Sequence, residues 1–220
     1  MRVLHYIGDS TVARNNIHSY PQTGMSQGLA LYVKESILVR SYAKNGRSTK
    51  SFLDEGRWEP VLAAMQAEDF LFIQFGHNDE KPDAARHTDP DGSFRDNLRL
   101  FIRGAREKGA YPVLITPIGR RLFDENGQFL PGSHGAYPAA MKAVGLEENV
   151  PVVDLTAATE AFLASKGDEN SKPLFMWPKD NTHLKPEGAV IMAGLLAEGL
   201  AALGAPYAEL LAGTDEGAGI

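Results

Sequence analysis

The sequence contains no cysteine. That removes disulfides, thiolate metal sites and a thiol nucleophile from consideration, and it leaves the compartment open. No stretch is rich in lysine and arginine, and the formal net charge at pH 7 is −6. Neither nucleic acid nor an anionic membrane is therefore expected as a partner. No apolar run approaches the roughly 18 residues of a membrane span. A strand-like run starts almost at Met1 and leaves no room for a leader, so a complete chain of this kind is expected in the cytoplasm. There is no His-x-His pair and no Asp-x-His near the first strand, which weighs against a two-metal phosphoesterase. Neither a metal nor another cofactor is expected.

What is present is ordinary in bulk and informative in order. With 220 residues, 43% hydrophobic and 23% charged, the chain suits one domain over residues 1–220. Five short apolar runs recur: Val3–Ile7, Ile37–Ala43, Phe70–Phe75, Tyr111–Thr116 and Val152–Leu155. Most are continuous rather than alternating, as strands covered on both faces should be. Helical patterns lie among them over Trp58–Ala67, Phe94–Lys108, Ala136–Glu148, Leu155–Lys166 and Pro186–Leu203. Ser93 is a candidate cap and Gly109 a candidate stop for the second of these. Strand–helix alternation predicts a doubly wound α/β fold with a parallel sheet. Two long loops, 76–93 and 118–135, stand out, and the tail 204–220 is expected to be loosely held.

Ser10 follows the first strand in Ile7-Gly8-Asp9-Ser10-Thr11, at the carboxyl end where open α/β sheets bind ligands. A serine there is either a nucleophile or a plain turn residue. Asp180-Asn181-Thr182-His183 offers a base and its orienter, since an Asp three residues before a His can bond one ring nitrogen. It also reads as a cap followed by a surface histidine. Asn78 in Gly76-His77-Asn78-Asp79 is either an oxyanion donor or an Asx-turn residue, and Gly46 either presents a bare N–H or simply makes a turn. What weighs is the coincidence: strand ends one, two and three and the last loop together hold the parts of one acyl-transfer site.

These blocks resemble the SGNH (GDSL) hydrolases, in order and over nearly the whole chain. The resemblance implies a three-layer α/β/α sandwich with a five-stranded sheet in the order 2-1-3-4-5. It implies Ser10 as nucleophile, His183 as base and Asp180 as its partner, with an oxyanion hole from the Ser10 N–H, the Gly46 N–H and the Asn78 amide. Within that superfamily the segments Gly8-Asp9-Ser10-Thr11-Val12-Ala13, Asn45-Gly46-Arg47-Ser48-Thr49-Lys50-Ser51-Phe52, Gln74-Phe75-Gly76-His77-Asn78-Asp79 and Asp180-Asn181-Thr182-His183-Leu184 are more similar to rhamnogalacturonan acetylesterases. Thr11 departs from the common Gly-Asp-Ser-Leu and agrees with this branch. The implied activity is removal of O-acetyl groups from an acetylated, pectin-derived oligosaccharide.

Trp177, Arg47 and His77 are candidates for touching the sugar, with core packing the competing reading for Trp177. His5 reads as a core residue. His18, His87 and His134 read as loop residues without metal-ligand spacing. The alternatives are a lipase-like esterase of the same superfamily, a deacetylase of another glycan such as xylan, and, more distantly, a non-catalytic carbohydrate-binding module.

Overall fold

The computed structural model describes residues 2–213. Its five strands are β1 (Arg2–Gly8), β2 (Ile37–Ser41), β3 (Phe70–Gln74), β4 (Tyr111–Ile115) and β5 (Val152–Val153), all parallel, in the order β2-β1-β3-β4-β5. The helices are α1 (Met25–Leu29), α2 (Thr49–Asp54), α3 (Trp58–Ala64), α4 (Ser93–Glu107), α5 (Tyr137–Glu147), α6 (Leu155–Lys166), α7 (Asp168–Ser171) and α8 (Pro186–Leu203).

Because strand side chains alternate, each inner strand feeds two cores. Leu4, Tyr6, Phe70, Phe72, Val113 and Ile115 pack with Met25 and Leu29 of α1, Leu163 of α6 and Met192 and Leu196 of α8. Ile7, Leu71, Ile73 and Leu114 point the other way, onto Phe52, Val61, Phe94, Phe101 and Met141 of α2 to α5. This double coverage is why β3 reads as an unbroken apolar run: all of its residues are buried.

Several boundaries moved for local reasons. The β5 run ends at Val153 because Asp154 caps α6, its carboxylate accepting from Ala157 N at 3.2 Å. Ser93 does not cap α4; it is the helix's first residue, and its hydroxyl accepts from Asp89 N at 3.0 Å. Gly109 (φ +71°) does follow the helix end. The short α2 carries no long apolar period. It is seeded by Ser48, whose hydroxyl accepts from Ser51 N at 3.1 Å while Ser51 Oγ accepts from Ser48 N at 2.9 Å.

Two expectations need correction. α8 is long and apolar enough to cross a membrane, at 18 residues and a mean hydropathy of 1.4. Here Ala189, Met192, Ala193, Leu196 and Leu200 bury one side of it in the core. The tail after Gly204 is held as far as residue 213. Tyr207 and Leu210 are buried, the Tyr207 hydroxyl donates to the Pro112 carbonyl at 2.8 Å, and Lys34 N donates to Leu210 O at 2.9 Å. Apolar side chains inside an otherwise small and acidic segment supply that anchor. Residues 214–220 of that tail lie outside the described residues.

α1 and α8 meet backbone to backbone. A Cβ added at Gly28 would sit 2.5 Å from the Ala189 carbonyl oxygen. Gly28→Ala must therefore part the two helices, and a loss of about 1–3 kcal/mol is expected. The urea midpoint measures it; an unchanged midpoint would refute so close an approach.

Candidate active site

The parallel sheet brings all strand ends with their following loops to one edge. After β1 the chain turns at once, Val12 N and Ala13 N both donating to Asp9 O at 3.2 and 2.9 Å. Asp9 is fully buried, and its Oδ1 accepts from Thr11 N and Thr11 Oγ1, each at 2.9 Å. That fixes the turn on which Ser10 sits, only 7% exposed.

His183 arrives from the loop before α8. Its Nε2 lies 2.9 Å from Ser10 Oγ, and its Nδ1 lies 3.0 Å from Asp180 Oδ2. Asp180 Oδ1 accepts from Thr182 N at 2.9 Å and His183 N at 2.7 Å. Burial pushes the Asp180 carboxyl up, but those backbone donors and the imidazole outweigh it and hold the group below the ordinary Asp value. An ionised Asp180 accepts a hydrogen bond from the Nδ1–H, which leaves Nε2 as the acceptor facing the Ser10 hydroxyl. This arrangement can deprotonate the serine as it attacks a carbonyl.

The other loops close around it. Lys44 N donates to Gly8 O at 3.1 Å, which sets the 44–48 turn against the end of β1. Gly46 has φ +79°, open space where a Cβ would point, and an N–H with no backbone acceptor among the described residues. The Asn78 amide donates to Arg47 O at 3.2 Å, and its oxygen accepts from Arg86 Nη1 at 3.3 Å. One N–H of that amide is left over.

The three residues named for sugar contact fare differently. Trp177 is 40% exposed, with the Arg121 guanidinium 4.8 Å and the Lys172 ammonium 5.4 Å from its ring centre. Arg47 uses Nε and Nη2 on Glu55 at 3.0 and 2.9 Å and Nη1 on Asn45 O at 2.9 Å, so it clasps the Gly46 turn. His77 corrects the expectation outright. It is buried, neither ring nitrogen has a partner among the described residues, and its ring lies 4.3 Å edge-on from that of His134. Burial first, then the charges of His134 and Arg120, drive its pKa well below the ordinary histidine value. It sits under the site as a neutral ring.

Three residues escaped the sequence reading. His134, 1% exposed, meets Ile118 O at 2.7 Å through Nε2 and Glu80 Oε2 at 3.0 Å through Nδ1. The Ile118 carbonyl can only accept, so Nε2 donates to it. Glu80 also pairs with Arg120, which reaches on to Thr182 Oγ1 at 2.7 Å. The one signal was a pair of arginines in the loop after the fourth strand.

A hydroxyl, an imidazole and a carboxylate in line at the carboxyl edge of a doubly wound sheet define a candidate hydrolase site of the serine type. Residues 6–191 match the model of the GDSL-like lipase/acylhydrolase family, and the chain belongs to that family. It is 44% identical over 216 residues to the rhamnogalacturonan acetylesterase RhgT of Bacillus subtilis, covering 93% of this chain and 91% of that one. It is 41% identical to the probable rhamnogalacturonan acetylesterase YesY of the same organism, covering 94% and 95%. Among solved structures, YxiM of Bacillus subtilis superposes with a TM-score of 0.83 at 29% identity, over 93% of this chain and 57% of that one. The acetylxylan esterase Axe2 of Geobacillus stearothermophilus gives 0.66 at 20% identity, over 90% and 93%, a likeness of fold. The chain is a carboxylic ester hydrolase.

Directly after Asn78, burial pushes the Asp79 carboxyl up to about 7, although Thr49 and Thr88 donate to its Oδ1. The folded protein then holds a proton that an unfolded Asp, with a pKa of about 3.9, has lost. This contribution to stability is full below about pH 4 and is lost as pH rises towards 7. Asp79→Asn, which mimics the protonated form, should gain on wild type over that interval. Urea midpoints read across pH would show the gap opening; a constant gap would contradict a raised Asp79.

Proposed function

We propose that the protein removes O-acetyl groups from acetylated, rhamnogalacturonan-derived saccharides through an acyl-enzyme. Ser10 Oγ attacks the acetyl carbonyl while His183 Nε2 takes its proton and Asp180 steadies the imidazolium. The Ser10 N–H, the Gly46 N–H and the spare Asn78 N–H receive the oxyanion. His183 then returns the proton to the departing sugar hydroxyl. A water, deprotonated by His183, releases acetate and restores Ser10. The observation that carries this reading is the unbroken line Ser10 Oγ–His183–Asp180, at 2.9 and 3.0 Å. Nothing in these steps calls on a metal.

The saccharide part rests on similarity to RhgT and YesY, and one physical argument supports it. The 44–48 turn, Asn78-Asp79-Glu80 and 180–183 are polar, with few contiguous apolar residues. A long acyl chain would need a wide apolar groove, worth about 0.8 kcal/mol per buried methylene, whereas acetyl needs only a small pocket. Trp177, exposed beside the His183 loop, offers an edge for a sugar ring.

Ser10→Ala and His183→Ala should each abolish nearly all turnover with the fold intact. The double variant should be no worse than either, because the two act as one unit. Additive losses in the double variant's kcat would separate them and end this mechanism.

Acetate release from acetylated rhamnogalacturonan oligosaccharides should exceed that from acetylated xylan oligosaccharides. On chromogenic esters kcat/KM should fall as the acyl group lengthens from two carbons to eight. A preference for xylan would move the substrate to another glycan, and a rise with chain length would favour a lipase-like enzyme.

A further inference from the structure

The proposed base and the proposed oxyanion donor reach the site from loops about a hundred residues apart in the chain, after β3 and before α8. Neither loop hydrogen-bonds the other directly through His183 and Asn78 themselves. One side chain joins them. Arg120 Nη1 donates to Thr182 Oγ1 at 2.7 Å, within the Asp180–His183 turn, and Nη2 donates to the His77 carbonyl at 3.4 Å, one residue before Asn78. The same Nη2 pairs with Glu80 on the far side of Asn78.

We infer that Arg120 is a positioning residue for ester hydrolysis, clamping the His183 loop to the Asn78 loop so that base and oxyanion donor hold a fixed relation to Ser10. Its own placement is secured at both ends. Arg120 N donates to Ser133 Oγ at 3.1 Å. Glu80, which receives the guanidinium, is held in turn by His134, itself tied to Ile118 O at 2.7 Å. The neighbouring Arg121 N donates to Asn181 O at 2.9 Å, so the 120–121 backbone also grips the His183 loop. A planar guanidinium can serve three acceptors at once in a set geometry, and an ammonium at the end of a lysine chain cannot reproduce that fork. Arg120 lies mostly buried, with its side chain 16% exposed, so its donors serve the protein interior rather than a ligand.

This inference rests on the Ser10–His183 mechanism, and its test separates the two. Arg120→Met, Arg120→Lys and Thr182→Val are assayed on 4-nitrophenyl acetate beside wild type and Ser10→Ala. Arg120→Met should lower kcat about 10–100-fold, since a misplacement of about 1 Å is worth up to that much, with KM within about twofold. Thr182→Val should lower kcat in the same sense but less. Arg120→Lys should recover part of the loss, and Arg120→Met combined with Thr182→Val should be no worse than Arg120→Met alone. Wild-type kcat in both Arg120→Met and Thr182→Val, or a rise in KM with kcat kept, overturns the inference. If Arg120→Met fails to fold, Arg120→Lys and Thr182→Val decide by the same kcat-against-KM criterion. Turnover retained in Ser10→Ala would instead overturn the mechanism beneath it.

Discussion

The 2.9 Å contact between Ser10 Oγ and His183 Nε2 joins residues 173 positions apart, and most of the architecture exists to make it. Parallel strands place every carboxyl end on one edge, so loops remote in sequence become neighbours without long excursions. An antiparallel sheet would send alternate loops to opposite edges. The cost is that each strand must be covered on both faces, which explains the two separate apolar cores and the helices that cross between strands. α8 serves both needs. Its inner face fills one core, and its N-terminal end starts three residues past His183, which anchors the loop bearing the base.

Beneath this contact lies a set of buried polar groups that apolar packing could not supply. Asp9, His77, Asp79 and His134 are nearly or fully inaccessible. Buried ionic groups persist only where hydrogen bonds replace lost water. Asp9 meets that condition at Oδ1 through Thr11 and Asp79 at Oδ1 through Thr49 and Thr88, while their Oδ2 atoms have no partner among the described residues; His134 meets it through Glu80 and Ile118. His77 meets it differently, by staying neutral, with both nitrogens unpartnered among those residues. Two of these groups fix turns that carry proposed catalytic parts. Asp9 shapes the Ser10 turn, and Asp79 ties the Asn78 loop to the start of α2.

What could be read beforehand followed from periodicity and local chemistry. The strand runs and the larger helices were legible because burial imposes a pattern on many residues at once. The Ser10, Gly46, Asn78 and Asp180–His183 blocks were legible because each is short and chemically specific. Their juxtaposition is a property of the sheet order, which only the resemblance to a known superfamily implied. The supporting residues were hidden for a different reason. Arg120, Glu80 and His134 act through partners 40 to 62 positions away, and no spacing rule encodes such pairs. His134 looked like a solvated loop residue among Gly, Ser and Pro, yet its ring is buried because the loop folds inward over Ile118. His77 erred in the opposite sense: named for sugar contact, it lies in the turn of residues 77–80 with its ring buried edge-on against that of His134.

The long loop 118–135 shows where function and support divide. Its length makes it stand out in the sequence as a long loop inside a compact domain. It turns back on itself, with Phe123 and Phe129 bridged and their rings 5.4 Å apart, and Asp124 Oδ1 accepting from Asn126 N and Gln128 N at 2.9 and 2.8 Å. Its inner residues Arg120, Arg121 and His134 face the protein, all three engaged with the His183 loop or its supports. A loop whose polar residues are committed inward in this way can stiffen a site but cannot readily change what the site accepts. Under the proposed function, discrimination between saccharides falls to surfaces left open, such as the bare face of Gly46 and the exposed edge of Trp177. Four motif blocks can therefore recur among esterases of different specificity, because on that proposal the blocks carry the chemistry while short exposed surfaces meet the sugar.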